Sequence, residues 1–329
     1  MNDILYPLTF TPIFKDKIWG GQKINELLGW NFSPLSNCGE MWALSGVKNN
    51  ETLIADGNLA DNDVNELLEI FMDDFIGENV FNPKMQEFPL LVKIIDSHDW
   101  LSVQVHLDDE MAQSLGYANG KSEMWYIIDA EPDAHIIAGF NREISKEEYF
   151  KRVADNTLAE VLSFIPVKKG DAVLIPAGLI HALGPGVLLA EIQQSSDITY
   201  RIFDWNRVDA GGKKRELHLD LAAKAIHFDM HEIQMASIPT TDDLNVNIFK
   251  TQWFVTNFRR IDLPYKCDYC ELDSFVILMF VEGSGNIVYS HKNIEFIPGQ
   301  AILIPASTHD FIIVPQDDAV SFLEVYISK

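Results

Sequence analysis

Hydrophobic positions along this chain recur with two periods. Between Phe88 and Ile128 the pattern is short apolar runs, P-L-L-V-K-I-I, W-L-S-V-Q-V-H and E-M-W-Y-I-I. Runs of that length, rich in branched and aromatic residues, predict strands. Strand patterns resume at A-V-L-I-P, continue through V-L-L-A-E-I-Q-Q and reach D-I-T-Y-R-I-F-D-W. Helical spacing is confined to a few places. Val64, Leu67, Leu68 and Phe71 predict a helix over Asp61–Gly77, and Phe150, Val153, Ala154, Leu158 and Val161 predict one over Ser145–Phe164. A further helix is expected from His218 to His227. Before about residue 90 the pattern mixes loops and helices, and I-P-T-T-D-D-L-N near 238–245 reads as a linker. The remainder reads as strand and turn, so the expected class is mainly β.

One phrase occurs twice. Gly170-Asp-Ala-Val-Leu-Ile-Pro-Ala returns as Gly299-Gln-Ala-Ile-Leu-Ile-Pro-Ala, and each copy leads to a histidine, His181 and His309. Each reads as a glycine turn, a buried strand and a proline that stops pairing. A repeated module of this kind predicts two related barrels: residues 1–240, carrying the helices, and residues 241–329. The glycine–strand–proline–histidine phrase resembles the second motif of the cupin jelly rolls, which fold two sheets into a small barrel. That resemblance implies a metal held inside by neighbouring strands.

Composition narrows the function classes. The chain has 329 residues, is 47% hydrophobic and carries a net charge of −24, which fits a folded protein with an ample core. Nucleic acid is not an expected partner, because its binding rests on cationic neutralisation of phosphates. An anionic substrate would need cations placed locally. The start, M-N-D-I-L-Y-P-L-T-F, lacks a basic region followed by an apolar core, and the most apolar stretch, Phe275 to Val281, is too short to span a bilayer. Three cysteines argue against a disulfide framework. The expectation is a soluble cytoplasmic protein with no membrane partner.

Successive side chains of a strand point to opposite faces. Leu101, Val103 and Val105 therefore face one way, and Ser102, Gln104 and His106 the other. Glu123 in G-K-S-E-M-W-Y and His181 in I-P-A-G-L-I-H are further metal-grade side chains. Imidazole and carboxylate suit zinc, and also iron, nickel or manganese. Singly, a strand histidine is more often a hydrogen-bonded structural residue, and a glutamate before M-W-Y a solvated strand end. Together, on a predicted barrel, they point to a metal pocket.

F-P-L-L-V-K, L-S-V-Q-V-H, G-K-S-E-M-W-Y, I-P-A-G-L-I-H-A-L-G-P-G and A-E-I-Q-Q-S-S-D-I-T-Y-R-I-F-D-W-N-R follow one another in order, preceded by I-W-G-G and G-E-M-W-A-L-S. The set resembles the type I mannose-6-phosphate isomerase (phosphomannose isomerase) family in its short bacterial form, from about Pro7 to the end. The resemblance implies two cupin-type jelly-roll barrels with a helical addition and one zinc per chain in the first barrel. It also implies interconversion of mannose 6-phosphate and fructose 6-phosphate through a cis-enediol, in carbohydrate metabolism. Carried over by position, the zinc ligands fall on Gln104, His106, Glu123 and His181, and the active-site arginine on Arg201. Lys121 and Glu191 match proton handlers, and Lys93 and Ser102 match positions lining the sugar-phosphate pocket. Leu107 departs from the proline usual in the family and should face away from His106. The second repeat has His309 but no Gln-x-His upstream, and is expected to be metal-free.

Glu191 shares a face with Val187, Leu189 and Gln193, and a carboxylate among apolar neighbours is expected to have a raised pKa. Arg207 is a further candidate for a phosphate contact. Two other readings use the same ligands: an iron-dependent cupin oxygenase, and a non-catalytic sugar-binding cupin. Cys267-Asp-Tyr-Cys270 is a single pair and reads as incidental. Ile18-Trp19-Gly20-Gly21 lacks the lysine and hydroxyl spacing of a phosphate loop. Trp42, Trp125 and Trp205 are candidates for the pocket wall, though strand aromatics are more often core. The choice between monomer and homo-oligomer stays open.

Overall fold

The computed structural model describes residues 4–208, 211–229, 232–239 and 244–328. In chain order the N-terminal part forms β1 (Leu8–Thr11), β2 (Ile13–Lys15), β3 (Glu40–Leu44) and β4 (Leu53–Ile54). The middle forms β5 (Leu90–Ser97), β6 (Val103–Val105), β7 (Glu123–Ala130), β8 (His135–Phe140), β9 (Leu162–Pro166), β10 (Asp171–Ile175), β11 (His181–Leu183), β12 (Val187–Gln194), β13 (Tyr200–Phe203) and β14 (Met235–Ser237). The C-terminal part forms β15 (Leu244–Lys250), β16 (Val255–Ile261), β17 (Tyr265–Asp268), β18 (Val276–Glu282), β19 (Gly285–Tyr289), β20 (Lys292–Phe296), β21 (Ala301–Ile304), β22 (Asp310–Pro315) and β23 (Val320–Tyr326). The helices are α1 (Lys23–Glu26), α2 (Val64–Ile76), α3 (Asp109–Ser114), α4 (Lys146–Ala154) and α5 (Leu219–Ala225).

The fold is mainly β, two cupin-type barrels with a helical addition. In the first barrel a seven-stranded sheet, β14-β10-β7-β12-β5-β3-β2, closes on a five-stranded one, β13-β6-β11-β8-β9. They share a core of Trp125, Ile127, Val173 and Leu189 from one sheet and Ile136, Ala138 and Leu183 from the other. In the second, β15-β16-β23-β18-β21-β1-β4 closes on β17-β22-β19-β20. We keep the division at residue 240 as a proposal for where the second barrel begins; its larger sheet also takes in β1 and β4.

The two seven-stranded sheets share a second core. Met124, Tyr126 and Ile128 on the outer face of β7 join Ile277, Met279, Leu303 and Leu323, and the Tyr126 ring stacks on Phe258 at 5.5 Å. This double burial explains why β5, β7 and β12 read as continuous apolar runs: both faces leave water.

Several boundaries differ from the periodic pattern. The first 90 residues contribute four strands that the sequence reading missed, because short pieces such as Leu8–Thr11 carry too few residues to show a period. The helix expected from Asp61 starts at Val64, where the Asp63 side chain accepts from the Asn65 and Glu66 amides and Glu66 reaches back, a capping box. The helix expected to reach Phe164 ends at Ala154: Asn156 has φ 54°, Leu158–Val161 is a 3₁₀ turn, and Phe164 lies in β9. Leu158 and Val161 still pack with Phe150 and Val153, but Ala154 is exposed. The helix expected over His218–His227 spans Leu219–Ala225. The linker expectation at 238–245 falls partly outside the described residues. No described helix is long and apolar enough to cross a membrane.

The repeated phrase folds alike in both copies. Gly170 and Gly299 have φ of +88° and +85°, a left-handed turn that glycine adopts without strain, and the strands that follow, β10 and β21, each pair antiparallel, with β7 and β18. The copies then diverge. His181 opens β11 and is buried, whereas His309 is exposed just ahead of β22.

Candidate metal centre

Strand register assembles the site. On the smaller sheet of the first barrel, Arg201 of β13 lies opposite Gln104 of β6, and Gln104 lies opposite His181 of β11. Directly opposed residues project from the same face, so the three form a lateral row aimed into the barrel. On the larger sheet, Lys93 of β5, Glu191 of β12 and Trp125 of β7 form a second row, with Glu123 opposite Gln193 beside it. His106 follows β6 and is buried inside, while Leu107 packs outside with Val103 and Val105, as its alternation requires.

The structure brings all four expected ligands to one place. The His106 and His181 Nε2 atoms each lie 3.5 Å from a different oxygen of Glu123. The ligand atoms of these three residues all fall within 4.8 Å of one another. Gln104 Nε2 is 3.2 Å from His181 Nε2, and rotating that amide end for end would present its oxygen. The other imidazole nitrogens are committed: His106 Nδ1 lies 3.0 Å from the Ile198 carbonyl and His181 Nδ1 2.8 Å from that of Leu179. A backbone acceptor on Nδ1 fixes the tautomer that leaves Nε2 with a lone pair, the arrangement typical of a ligating histidine. His106 Nε2 and both Glu123 oxygens are buried without any hydrogen-bond partner. Buried polar atoms rarely stay unpaired, so this donor set fits a divalent cation.

Electrostatics agree. Burial pushes both histidines down, His181 to about 4, and so keeps them neutral. Burial, with the nearby Glu191 charge, pushes Glu123 up to about 8; Lys121, 3.4 Å away, and Lys93 oppose it only in part. Without a cation the cluster cannot easily hold a carboxylate charge. Glu191 corrects the sequence expectation. Burial does push it up, but the Lys93 and Lys121 charges and the Trp125 indole outweigh that and hold it below its usual value. Lys93 Nζ is 3.2 Å from Glu191 Oε2, without hydrogen-bond geometry, and donates instead to Gln193 at 2.8 Å. Trp125 donates to Glu191 Oε1 at 3.0 Å, and Oε2 accepts no hydrogen bond.

Beside the cluster opens a cavity of about 280 Å³, lined by Lys93, Ser102, Gln104, Lys121, His181, Glu191 and Arg201 among others. Arg201 donates to the Ser102 hydroxyl at 3.3 Å and to the Glu216 carbonyl at 3.2 Å. Four further wall residues, Lys17, Glu40, Asp197 and Arg215, were not found from the sequence. Lys17, Lys93, Lys121, Arg201 and Arg215 set five cations around this cavity in a chain of net charge −24. No local pattern marks Lys17 or Arg215; they lie on loops whose course only the fold sets. Trp125 lines the cavity, as does Trp19 of the discounted I-W-G-G phrase. Trp42 lies beneath Lys93 and donates to Glu40, and Trp205, which does not line the cavity, donates to the Leu101 carbonyl. Arg207 also faces elsewhere, bonded to Asp204 and to the Trp100 carbonyl. Cys267 is buried and Cys270 exposed, both free.

Residues 8–138 match the family model "Phosphomannose isomerase type I, catalytic domain". The mannose-6-phosphate isomerase of Streptococcus mutans is 39% identical over 300 residues, 91% of this chain and 92% of that protein. The crystal structure of the mannose 6-phosphate isomerase from Bacillus subtilis superposes with a TM-score of 0.85 at 30% identity, covering 98% of this chain and 99% of that one. A mannose 6-phosphate isomerase solved with zinc bound shares the fold, with a TM-score of 0.77 at 14% identity over 98% of this chain and 100% of that one.

Proposed function

The chain belongs to the type I phosphomannose isomerase family and is a mannose-6-phosphate isomerase; from that premise we propose that it works with one zinc ion per chain, held by Gln104, His106, Glu123 and His181, through a cis-enediol. The observation that carries the metal reading is the buried trio of unpartnered ligand atoms on His106 and Glu123 facing His181. Imidazole and carboxylate donors with an amide suit zinc, and the relative of the same fold that was solved with zinc supports that choice. When bound, zinc supplies Lewis-acid polarisation and a template for the sugar oxygens.

The remaining work falls to the chain's own side chains. Glu191 is the general base of the proposal. It is buried, kept ionised by Lys93, oriented by the Trp125 indole, and has one oxygen free to accept. It takes the proton from C2 of the opened mannose 6-phosphate and returns it to C1, which gives fructose 6-phosphate. Arg201, fixed by Ser102 and the Glu216 carbonyl, faces the negative oxygen of the enediol with a permanent charge. Lys121 is placed to move a proton between the two sugar oxygens. Lys93 and Ser102 complete the wall against which the sugar phosphate lies. A cytoplasmic location belongs to the same proposal.

The test is to incubate the protein with fructose 6-phosphate and follow the sugar signals by NMR, with and without a chelator. Appearance of mannose 6-phosphate, lost on chelation and regained with zinc, is expected. Turnover that survives complete metal removal would refute the metal reading. Oxygen uptake without isomerisation would favour the iron-dependent oxygenase.

A further inference from the structure

The five cavity cations differ in what already neutralises them. Lys93 lies 3.2 Å from Glu191, Lys121 3.4 Å from Glu123, and Lys17 3.1 Å from Glu40. Arg201 has no carboxylate within ion-pair distance among the described residues; its Nε and one terminal nitrogen are bonded to neutral oxygens. Arg215 gives its Nε to Asp204 Oδ2 at 2.7 Å and one terminal nitrogen to Oδ1, while its other terminal nitrogen makes no hydrogen bond among the described residues. Asp204 is buried and must also serve Arg207, at 2.6 Å. Two guanidinium groups thus share one buried carboxylate, and Arg201 lies near enough to feel the charges of all three. Among the described residues the one further ion pair of these three arginines is that of Arg207 with the largely exposed Asp99, at 3.4 Å. The surplus is felt at Arg201, where burial and then the Arg215 charge push the pKa down. Asp197, the other acid on the wall, exerts its charge on Lys15 and Lys93 instead.

This places a patch of excess positive charge at one end of the site. The row His181, Gln104, Arg201 runs from the metal cluster outward, and Arg215 lines the same cavity next to Arg201. A dianion at the opposite, lysine-lined floor would meet Glu191 and Glu123, whose charges those lysines already balance. Building on the isomerase reading above, we propose that Arg215 binds the phosphate of the sugar phosphate beside Arg201 and so determines specificity for phosphorylated sugars. In this arrangement Asp204 is a positioning residue: its two oxygens hold the Arg215 fork in one orientation and leave the other terminal nitrogen for the phosphate. A guanidinium that donates through one edge to a carboxylate keeps the rest of its planar fork for a phosphate.

The experiment compares mannose 6-phosphate with unphosphorylated mannose as substrates of the zinc-loaded enzyme. In Arg215→Gln the ratio of kcat/KM for the phosphorylated over the plain sugar should fall about tenfold or more, the loss expected for a charge-assisted contact. Inorganic phosphate should weaken as a competitive inhibitor by a like factor, with zinc content as in the parent. Asp204→Asn should raise KM for mannose 6-phosphate more than it lowers kcat. A ratio in Arg215→Gln within about twofold of the parent, or undiminished inhibition by phosphate, would overturn the proposal, because a merely structural arginine depresses both substrates alike. An equal fall on both sugars in Asp204→Asn would remove its positioning role. If Arg215→Gln fails to fold, Arg215→Lys keeps the charge without the fork and should still lower the ratio; an unaltered ratio there overturns the idea. Should the parent enzyme isomerise nothing, calorimetric titration of inorganic phosphate into the zinc-loaded parent and Arg215→Gln tests the anion site separately.

Discussion

Glu191 is the fifth residue of β12, and β12 lies between β7 and β5; Glu324 is the fifth residue of β23, which lies between β18 and β16. Each is buried, and each has a cation from the strand alongside: Lys93 for Glu191, Arg259 for Glu324. The barrels have taken this shared pair in opposite directions. Glu324 accepts from Arg259 at both oxygens, from Asn257 at 2.8 Å and from Tyr269 at 2.7 Å, so its acceptors are saturated. Glu191 accepts one hydrogen bond, keeps Oε2 free and borders a cavity. A satisfied buried network rigidifies a core, whereas an unsatisfied one marks a place where a ligand or a proton is expected. The same contrast holds for the repeated histidines, one buried among ligand atoms and one exposed.

The largest effect should come from emptying the first barrel's cluster. His106→Ala or His181→Ala is expected to lower zinc content and cut turnover by about a thousandfold or more, the several kcal/mol that a metal supplies. His309→Ala, in the matching place of the second barrel, should leave stability within about 0.5 kcal/mol of the parent. Equal metal loss in all three variants would end the contrast. Next, Glu324→Gln leaves the partly buried Arg259 without its carboxylate, so denaturant unfolding should show a loss of about 3 kcal/mol, the low end for a buried pair. The double change Glu324→Leu with Arg259→Met should recover much of it. A single variant as stable as the parent would show that the second barrel does not depend on its sealed pair.

Arg201→Ala should keep its zinc and lose about 10²–10³ in kcat, the range found when a preorganised charge at a developing oxyanion is removed. Full activity in that variant would take Arg201 out of the chemistry. The smallest effect concerns Glu40. Burial pushes its carboxyl up, but Lys93 and Lys17, with the Trp42 indole, outweigh that and hold it at about 2. A carboxyl depressed from 4.5 stabilises the fold above that pH and loses its contribution as pH falls toward 2, about 3 kcal/mol in all. Acid unfolding curves should therefore be less steep in Glu40→Gln over that window. Parallel curves would assign the depression elsewhere.

Much of this architecture was legible before any fold was known. The strand runs, the repeated glycine turn and the positions of Gln104, His106, Glu123 and His181 are local signals. Alternation along β6 alone puts Gln104 and His106 on one face and Leu107 on the other. The early strands were not legible, because β1 and β4 are too short to carry a period and take their place only by pairing with partners such as β21. Arg207 and Arg215 could not be told apart by composition. Each bonds to Asp204, and only the course of the backbone sends one toward the Trp100 carbonyl and the other into the cavity.

Residue identity and two-residue periodicity by themselves determined that this chain is mainly β and that its polar strand faces carry imidazole, amide and carboxylate groups of the kind that suit a metal. Tertiary structure alone decided which charges meet. It set Lys93 against Glu191 so that this carboxyl lies below its usual value in spite of its burial. The reason is one of range. Alternation and turn preference act between neighbours in the chain, whereas burial and Coulomb forces depend on distances set by strand register between residues about a hundred positions apart.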